Sequence, residues 1–268
     1  MRIVPTTIEQ AQKSLSQWWQ DAGVEVPPAG PVAASSGTKA GSVTPAPTPK
    51  PATKVSGANP KDDRLATARK LAAAANTLDE LIAAITDFDA GLLSDEARQA
   101  VIARGNSTAD IMLIGEAPGR EEDQSGKPFV GRSGQLLDKM FAAIGMDENN
   151  LYITNGVFWR PKGNRTPTPT ESALCLPFVE RHIALIAPKI LVTIGGSSTK
   201  TMLNTETGIT RLRGKWADYP VKNPDGSDSE TTIPLLPIYH PAFVLRKPAT
   251  KREVWQDLQS VIEQLHGL

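Results

Sequence analysis

The chain has 268 residues, 40% of them hydrophobic and 5% aromatic, with 29 Lys and Arg set against 29 Asp and Glu. Such a length supports one or two domains with an ordinary core, while zero net charge speaks against a wholesale polyanion binder and leaves local patches open. The one thiol, Cys175, excludes a disulfide framework and an all-cysteine metal site, and no apolar stretch approaches the ~20 residues of a membrane span, so a reduced, cytoplasmic protein without a leader is expected.

In chain order, Ile8, Ala11, Leu15, Trp18 and Ala22 recur at helical spacing, with Trp19 beside them. This predicts an amphipathic helix over 6–22, within an N-terminal segment 1–26. An apolar face ahead of a tether fits either a helix docked back on its own domain or a peptide offered to a partner protein. Residues 27–60 hold eight of the 22 prolines and no aromatic residue, a composition that cannot bury enough apolar surface to order itself, and they read as a linker.

The globular part is expected over 61–268. Leu65, Ala68, Leu71, Leu78, Leu81, Ile82 and Ile85 mark two helical segments. Then come four apolar runs, Ile111–Ile114, Leu151–Thr154, Ile190–Ile194 and Ile233–Ile238, separated by helical patterns over Gly134–Ile144, Thr170–Ile186 and Ser198–Leu203, with a last helix over Lys251–Leu265. Strands that are apolar throughout and alternate with helices predict a parallel sheet covered on both faces: an α/β, three-layer αβα sandwich around a mainly parallel, four-stranded sheet.

Ligands of such sheets bind beyond the carboxyl ends of the strands. Those ends carry Gly115-Glu116-Ala117-Pro118-Gly119, Asn155, Gly195-Gly196-Ser197 and His240-Pro241, so a carboxylate, an amide and an imidazole converge on one edge. Each residue alone is ordinary, since Asn and Gly end strands for backbone reasons and a single His is usually structural. Three acid-free basic loops are predicted near the same edge: Arg160, Lys162 and Arg165; Arg211, Arg213 and Lys215; Arg246, Lys247, Lys251 and Arg252. Focused positive charge around a strand-end pocket suits a phosphate backbone that presents one group to the pocket, and a solvated surface is the plainer alternative.

The run Gly115-Glu116-Ala117-Pro118-Gly119-Arg120-Glu121-Glu122-Asp123, followed by Gly126-Lys127-Pro128-Phe129-Val130-Gly131-Arg132-Ser133-Gly134-Gln135-Leu136-Leu137, resembles the first motif of the family 4 uracil-DNA glycosylases. Tyr152-Ile153-Thr154-Asn155 with Arg160-Pro161, and His240-Pro241-Ala242-Phe243-Val244-Leu245-Arg246, resemble its later motifs in the same order, so the likeness runs over about 87–263. It implies hydrolysis of the N-glycosidic bond of uracil flipped out of DNA, the first step of base excision repair.

On that resemblance Phe129 stacks on the pyrimidine, Asn155 pairs with O4 and N3–H of uracil, and the backbone at Gly115 and Ala117 lies beside the base. His240 donates to O2 as the uracil anion leaves. The water-activating carboxylate falls on Glu122, with Glu116 as its rival, because the best-known branch of the superfamily has an Asp where this chain has Ala117. Arg160, Lys162, Arg165, Arg213 and Arg246 would contact DNA, and Leu245 would fill the gap left by the flipped base. The plainer reading of the last motif is that Phe243 and Leu245 pack beneath their loop.

The family generally carries a [4Fe–4S] cluster on four cysteines, and the corresponding positions here are Phe88, Gly91, Trp159 and Cys175. One thiolate cannot hold a cubane that needs about four ligands, so no cofactor and no metal site are expected. The expected partner is uracil-containing DNA, bound by a monomer. Two other roles fit the same residues: a DNA-binding or uracil-recognising relative with little turnover, and a replication or repair adaptor working through the Trp18/Trp19 helix.

Overall fold

The computed structural model describes residues 60–268. The helix expected over 6–22 and the linker expected over 27–60 lie outside the described residues, apart from Pro60, which opens the first helix. Among the described residues no helix is long and apolar enough to cross a membrane.

Two helices, α1 (Pro60–Ala74) and α2 (Leu78–Thr86), lead into the domain, α2 opened by a capping box in which the Thr77 hydroxyl accepts from Glu80 N and the Glu80 carboxylate accepts from Thr77 N. A turn of helix, α3 (Leu92–Asp95), precedes a sheet of six strands. These are β1 (Ala103–Gly105), β2 (Ile111–Gly115), β3 (Leu151–Asn155), β4 (Ile190–Ile194), β5 (Ala217–Lys222) and β6 (Asp228–Ile238), in the spatial order β1-β3-β2-β4-β6-β5. The helices between them are α4 (Arg120–Ser125), α5 (Arg132–Ala142), α6 (Pro169–Ile186), α7 (Gly196–Leu203) and α8 (Ile209–Leu212), and α9 (Pro241–Arg246) and α10 (Lys251–Gly267) close the chain.

The four central strands are parallel, as the unbroken apolar runs predict, and every residue of β2, β3 and β4 is buried. Inside those runs the side chains still alternate. Met112, Ile114, Tyr152 and Leu191 join the layer of α1, α2 and α6, while Ile111, Leu113, Ile153 and Val192 join Leu137, Phe141, Trp255 and Leu258 of α5 and α10 on the other face. The alternation is invisible in composition because both faces are dry.

Both sheet edges depart from the expected four strands. β1 runs antiparallel to β3 and β5 antiparallel to β6, which gives a mixed sheet. β1 is three residues long and holds Arg104, and the outer arm of β6 is Asp-Ser-Glu-Thr-Thr, so neither carries an apolar signal. These segments are strands because a neighbour's backbone pairs with them, and edge strands stay polar where water reaches one side.

His182 is wholly buried on α6, with Nδ1–H donating to the Phe178 carbonyl at 3.1 Å and Nε2 without a protein partner. Burial pushes its pKa down from 6.5 to about 4. Between those values the unfolded chain binds a proton that the folded chain refuses, so stability is full above pH 6.5 and falls as the pH drops toward 4. Urea midpoints measured from pH 7 to pH 4 are expected to decline, by on the order of 3 kcal/mol in unfolding free energy for a shift of this size. The variant His182→Met should remove this contribution and make the decline shallower, and a variant profile as steep as that of the wild type would contradict a neutral buried imidazole at this position.

Candidate active site

The carboxyl ends of β2, β3 and β6 meet at a cavity of about 320 Å³ whose lining includes Ala117, Glu121, Glu122, Phe129, Asn155 and His240. Gly115 closes β2 because nothing larger fits. A β-carbon there would stand 2.4 Å from Asn155 Oδ1 and 2.4 Å from the Phe129 ring, so both side chains occupy the room that a methyl group would take. Asn155 is 1% exposed and its Oδ1 has no hydrogen-bond partner, an orphaned acceptor on a residue that lines the cavity.

Phe129 takes the left-handed conformation at φ +55°, uncommon for a residue with a β-carbon, and the surrounding loop holds it there. Glu122 reaches from α4 across that loop. Its Oε1 accepts from Val130 N at 3.0 Å and Gly131 N at 2.8 Å, and its Oε2 accepts from Gly119 N at 3.0 Å. From the sheet edge, Arg104 donates to the carbonyls of Pro128 at 2.8 Å and Phe129 at 3.4 Å while pairing with Asp138 and Glu148. Gly134 permits α5 to lie against this turn, since a β-carbon there would meet the Phe129 carbonyl oxygen at 1.8 Å.

His240 caps the N-terminus of α9, its Nδ1 accepting from Ala242 N at 3.1 Å. A backbone N–H can only donate, so Nδ1 is bare and the ring proton sits on Nε2. Burial and the nearby Arg246 lower its pKa to about 4, outweighing the opposite pull of Glu122, so the imidazole is neutral near pH 7. The His240 and Phe129 ring centres are 6.0 Å apart.

The structure therefore brings Gly115, Ala117, Phe129, Asn155 and His240 together and separates the two carboxylates proposed for water activation. Glu116 faces a neighbouring hollow of about 730 Å³, lined also by Thr166, Gly196, Ser197 and Lys200. Burial raises its pKa there, with a hydrogen bond from Thr166 opposing. Glu122 lines the cavity, but both of its oxygens are committed to loop amides, a structural task that correct spacing in the motif could not reveal. The signal that was available is its place three residues after Gly119, the spacing at which a Glu reaches back to a helix start.

The basic loops are partly self-satisfied. Arg165 makes a bidentate pair with Glu171 at 2.7 and 2.8 Å, and Arg213 is paired with the buried Asp257. Both are tied to this protein's own acids, a pairing that sequence distance hides, since Asp257 lies on α10. Arg160 donates to Asn164 at 2.6 Å, and Lys162, largely exposed, pairs with Glu96 at 3.1 Å. Arg246 is exposed on α9, Leu245 beside it is partly exposed, and Phe243 packs on the core. Arg120 and Arg132, which the sequence does not mark as site residues, also line the cavity wall.

At the positions where the resemblance expects cluster ligands, Phe88, Trp159 and Cys175 share one apolar cluster. The ring centres of Phe88 lie 6.2 Å from Trp159 and 5.2 Å from Phe178. Gly91 sits behind the Arg64 guanidinium, and burial pushes the Cys175 thiol up to about 12. No group of three or more metal-ligating side chains occurs among the described residues. These residues do not fit a four-cysteine cluster.

A mixed, mainly parallel sheet flanked by helices, with a strand-end pocket built on an amide, an aromatic ring and a neutral imidazole, defines an α/β protein with a site for a small polar ring. Residues 102–259 match the family model described as the uracil DNA glycosylase superfamily, and the chain belongs to that superfamily. It is similar to the type-4 uracil-DNA glycosylase of Pyrobaculum aerophilum, 35% identical over 68% of this chain and 91% of the relative. It is also similar to those of Sulfurisphaera tokodaii, 38% identical over 61% and 74%, and Saccharolobus solfataricus, 39% identical over 63% and 77%.

The Glu122 bonds generate a test of the loop. Glu122→Gln keeps the size but replaces one acceptor with a donor facing a backbone N–H, so thermal unfolding should report a loss of about 1–3 kcal/mol. An unchanged melting temperature would mean that the three amides find other partners.

Proposed function

We propose that the protein is a uracil-DNA glycosylase, which draws uracil out of DNA into the 320 Å³ cavity and hydrolyses its N-glycosidic bond, leaving an abasic site. The observation that carries this reading is the orphaned Asn155 Oδ1 beside Phe129. Uracil supplies the missing donor with N3–H and accepts at O4 from the same amide, whereas cytosine presents an acceptor and a donor in the reverse order and leaves both Asn155 groups unpaired. Phe129 stacks on the pyrimidine, with the backbone of Gly115 and Ala117 at the cavity wall.

As the glycosidic bond lengthens, negative charge grows on the base and His240 Nε2–H donates to O2. A neutral donor suits this role because it stabilises the developing anion without having to give up a proton. DNA contacts fall to Arg246 and Leu245 on α9, to Arg160 and Lys162, and to Arg120 and Arg132 on the cavity wall. Glu96 and Asn164 have to yield Lys162 and Arg160 when phosphates approach. The substrate is uracil-containing DNA, the acting species a cytoplasmic monomer, and the Trp18/Trp19 segment a site for a protein partner.

Alkaline cleavage of uracil-containing oligonucleotides after incubation with the protein tests the reading, with strand breaks expected only at uracil. Asn155→Asp should either accept cytosine or lose excision with the fold retained, since an ionised carboxylate repels O4 and a protonated one matches cytosine. Excision of uracil at the wild-type rate by that variant would remove Asn155 from base reading.

The protein works without an iron–sulfur cluster in this proposal. Support comes from the lone Cys175 and from the aromatic packing of Phe88, Trp159 and Phe178 around it. Purified protein is expected to be colourless and to contain no stoichiometric iron. About four iron atoms per chain with visible absorbance would overturn this part.

A further inference from the structure

Four acidic residues lie in the first motif, and the geometry sorts them. Asp123 is buried, its Oδ1 accepting from Arg98 N at 2.8 Å. Glu122 gives both oxygens to the amides of Gly119, Val130 and Gly131. Glu116 opens on the neighbouring hollow with Thr166. Glu121 is the remaining one. It lines the same cavity as Asn155, Phe129 and His240, is exposed, and takes no hydrogen bond or ion pair among the described residues. Its Oε2 lies over Gly131, in the space a β-carbon there would fill, which places the carboxylate on the cavity wall.

We infer that Glu121, and not Glu122 or Glu116, is the carboxylate that orients the attacking water. The inference rests on the uracil-excision reading of this cavity. Water attacks the anomeric carbon as the bond from that carbon to N1 breaks, and the electron pair departs with the uracil anion held by His240. The water proton passes to Glu121 and then to solvent, and uracil takes a proton from solvent. Before that transfer, the uncommitted charge of Glu121 favours the oxocarbenium-like sugar, a stabilisation that operates in the transition state and hardly at all in the bound ground state. Arg120 and Arg132 line the same wall and offset the cost of bringing a DNA phosphate near this carboxylate.

The test is single-turnover excision by the full chain on a single-stranded uracil oligonucleotide, with affinity measured on a 2′-fluoro analogue whose glycosidic bond resists cleavage. Glu121→Gln should slow excision about 100-fold, the lower end of the range for a positioned general base, with affinity and melting temperature unchanged. Added formate should restore part of the rate to Glu121→Ala, a rescue that a structural residue would not show. Excision by Glu121→Gln within threefold of wild type, or an affinity loss equal to the rate loss, overturns the inference while the uracil reading stands. A wild-type protein that cleaves no uracil DNA overturns both.

Discussion

The site depends on one missing methyl group. Because position 115 ends β2 without a β-carbon, the Asn155 amide and the Phe129 ring approach the same point from β3 and from the loop after β2. Any side chain at 115 would push the amide back into the sheet or the ring out into solvent. The rest of the cavity is arranged to keep that approach: the left-handed turn at Phe129, the Glu122 carboxylate that fastens it through three amides, the Arg104 guanidinium that fastens it from the sheet edge, and the close approach of α5 at Gly134. Strain at Phe129 is thus offset by charge-assisted hydrogen bonds, which are stronger than neutral ones.

Electrostatics divides the charged residues into two groups. Arg104, Arg165 and Arg213 are each paired with acids of the same chain, whereas Arg120, Arg132 and Arg246 face the cavity or the solvent around it. Zero net charge is therefore compatible with a DNA-facing edge, since much of the acid is used internally. The imidazole of His240 stays neutral between these groups because burial and Arg246 together outweigh Glu122. Its tautomer is set by the Ala242 amide at the start of α9, so the helix that bears the proposed Leu245 wedge also aims the proposed donor.

The layer of α1, α2 and α6 does mechanical work of a different kind. Phe88, Trp159, Phe158 and Phe178 meet edge-on and tilted around Cys175, tying the α2–α3 segment to the loop after β3. Packed aromatic rings of this sort cross-link distant segments through apolar burial and ring geometry. That link holds in place the loop bearing Arg160 and Lys162 without a metal ligand on either side.

The four central strands, their order of occurrence and the convergence of Gly115, Asn155 and His240 at one edge were legible in the sequence, because burial on both faces demands continuous apolar runs and a parallel sheet aligns its carboxyl ends. The first motif identified the loop that bears Phe129 for the same reason, its glycines marking where backbone must come close. The edge strands were not legible, since the polar residues of β1 and of the outer arm of β6 become strand only when a neighbour supplies hydrogen bonds. Nor was the sorting of Glu116, Glu121 and Glu122, which stand within seven residues of one another and differ only in what meets each carboxylate. Sequence by itself determined that an amide, an aromatic ring and an imidazole meet at the pocket; tertiary structure alone decided which charged groups line it and which of them remain uncommitted once the backbone amides and the partner side chains of distant segments have taken their share.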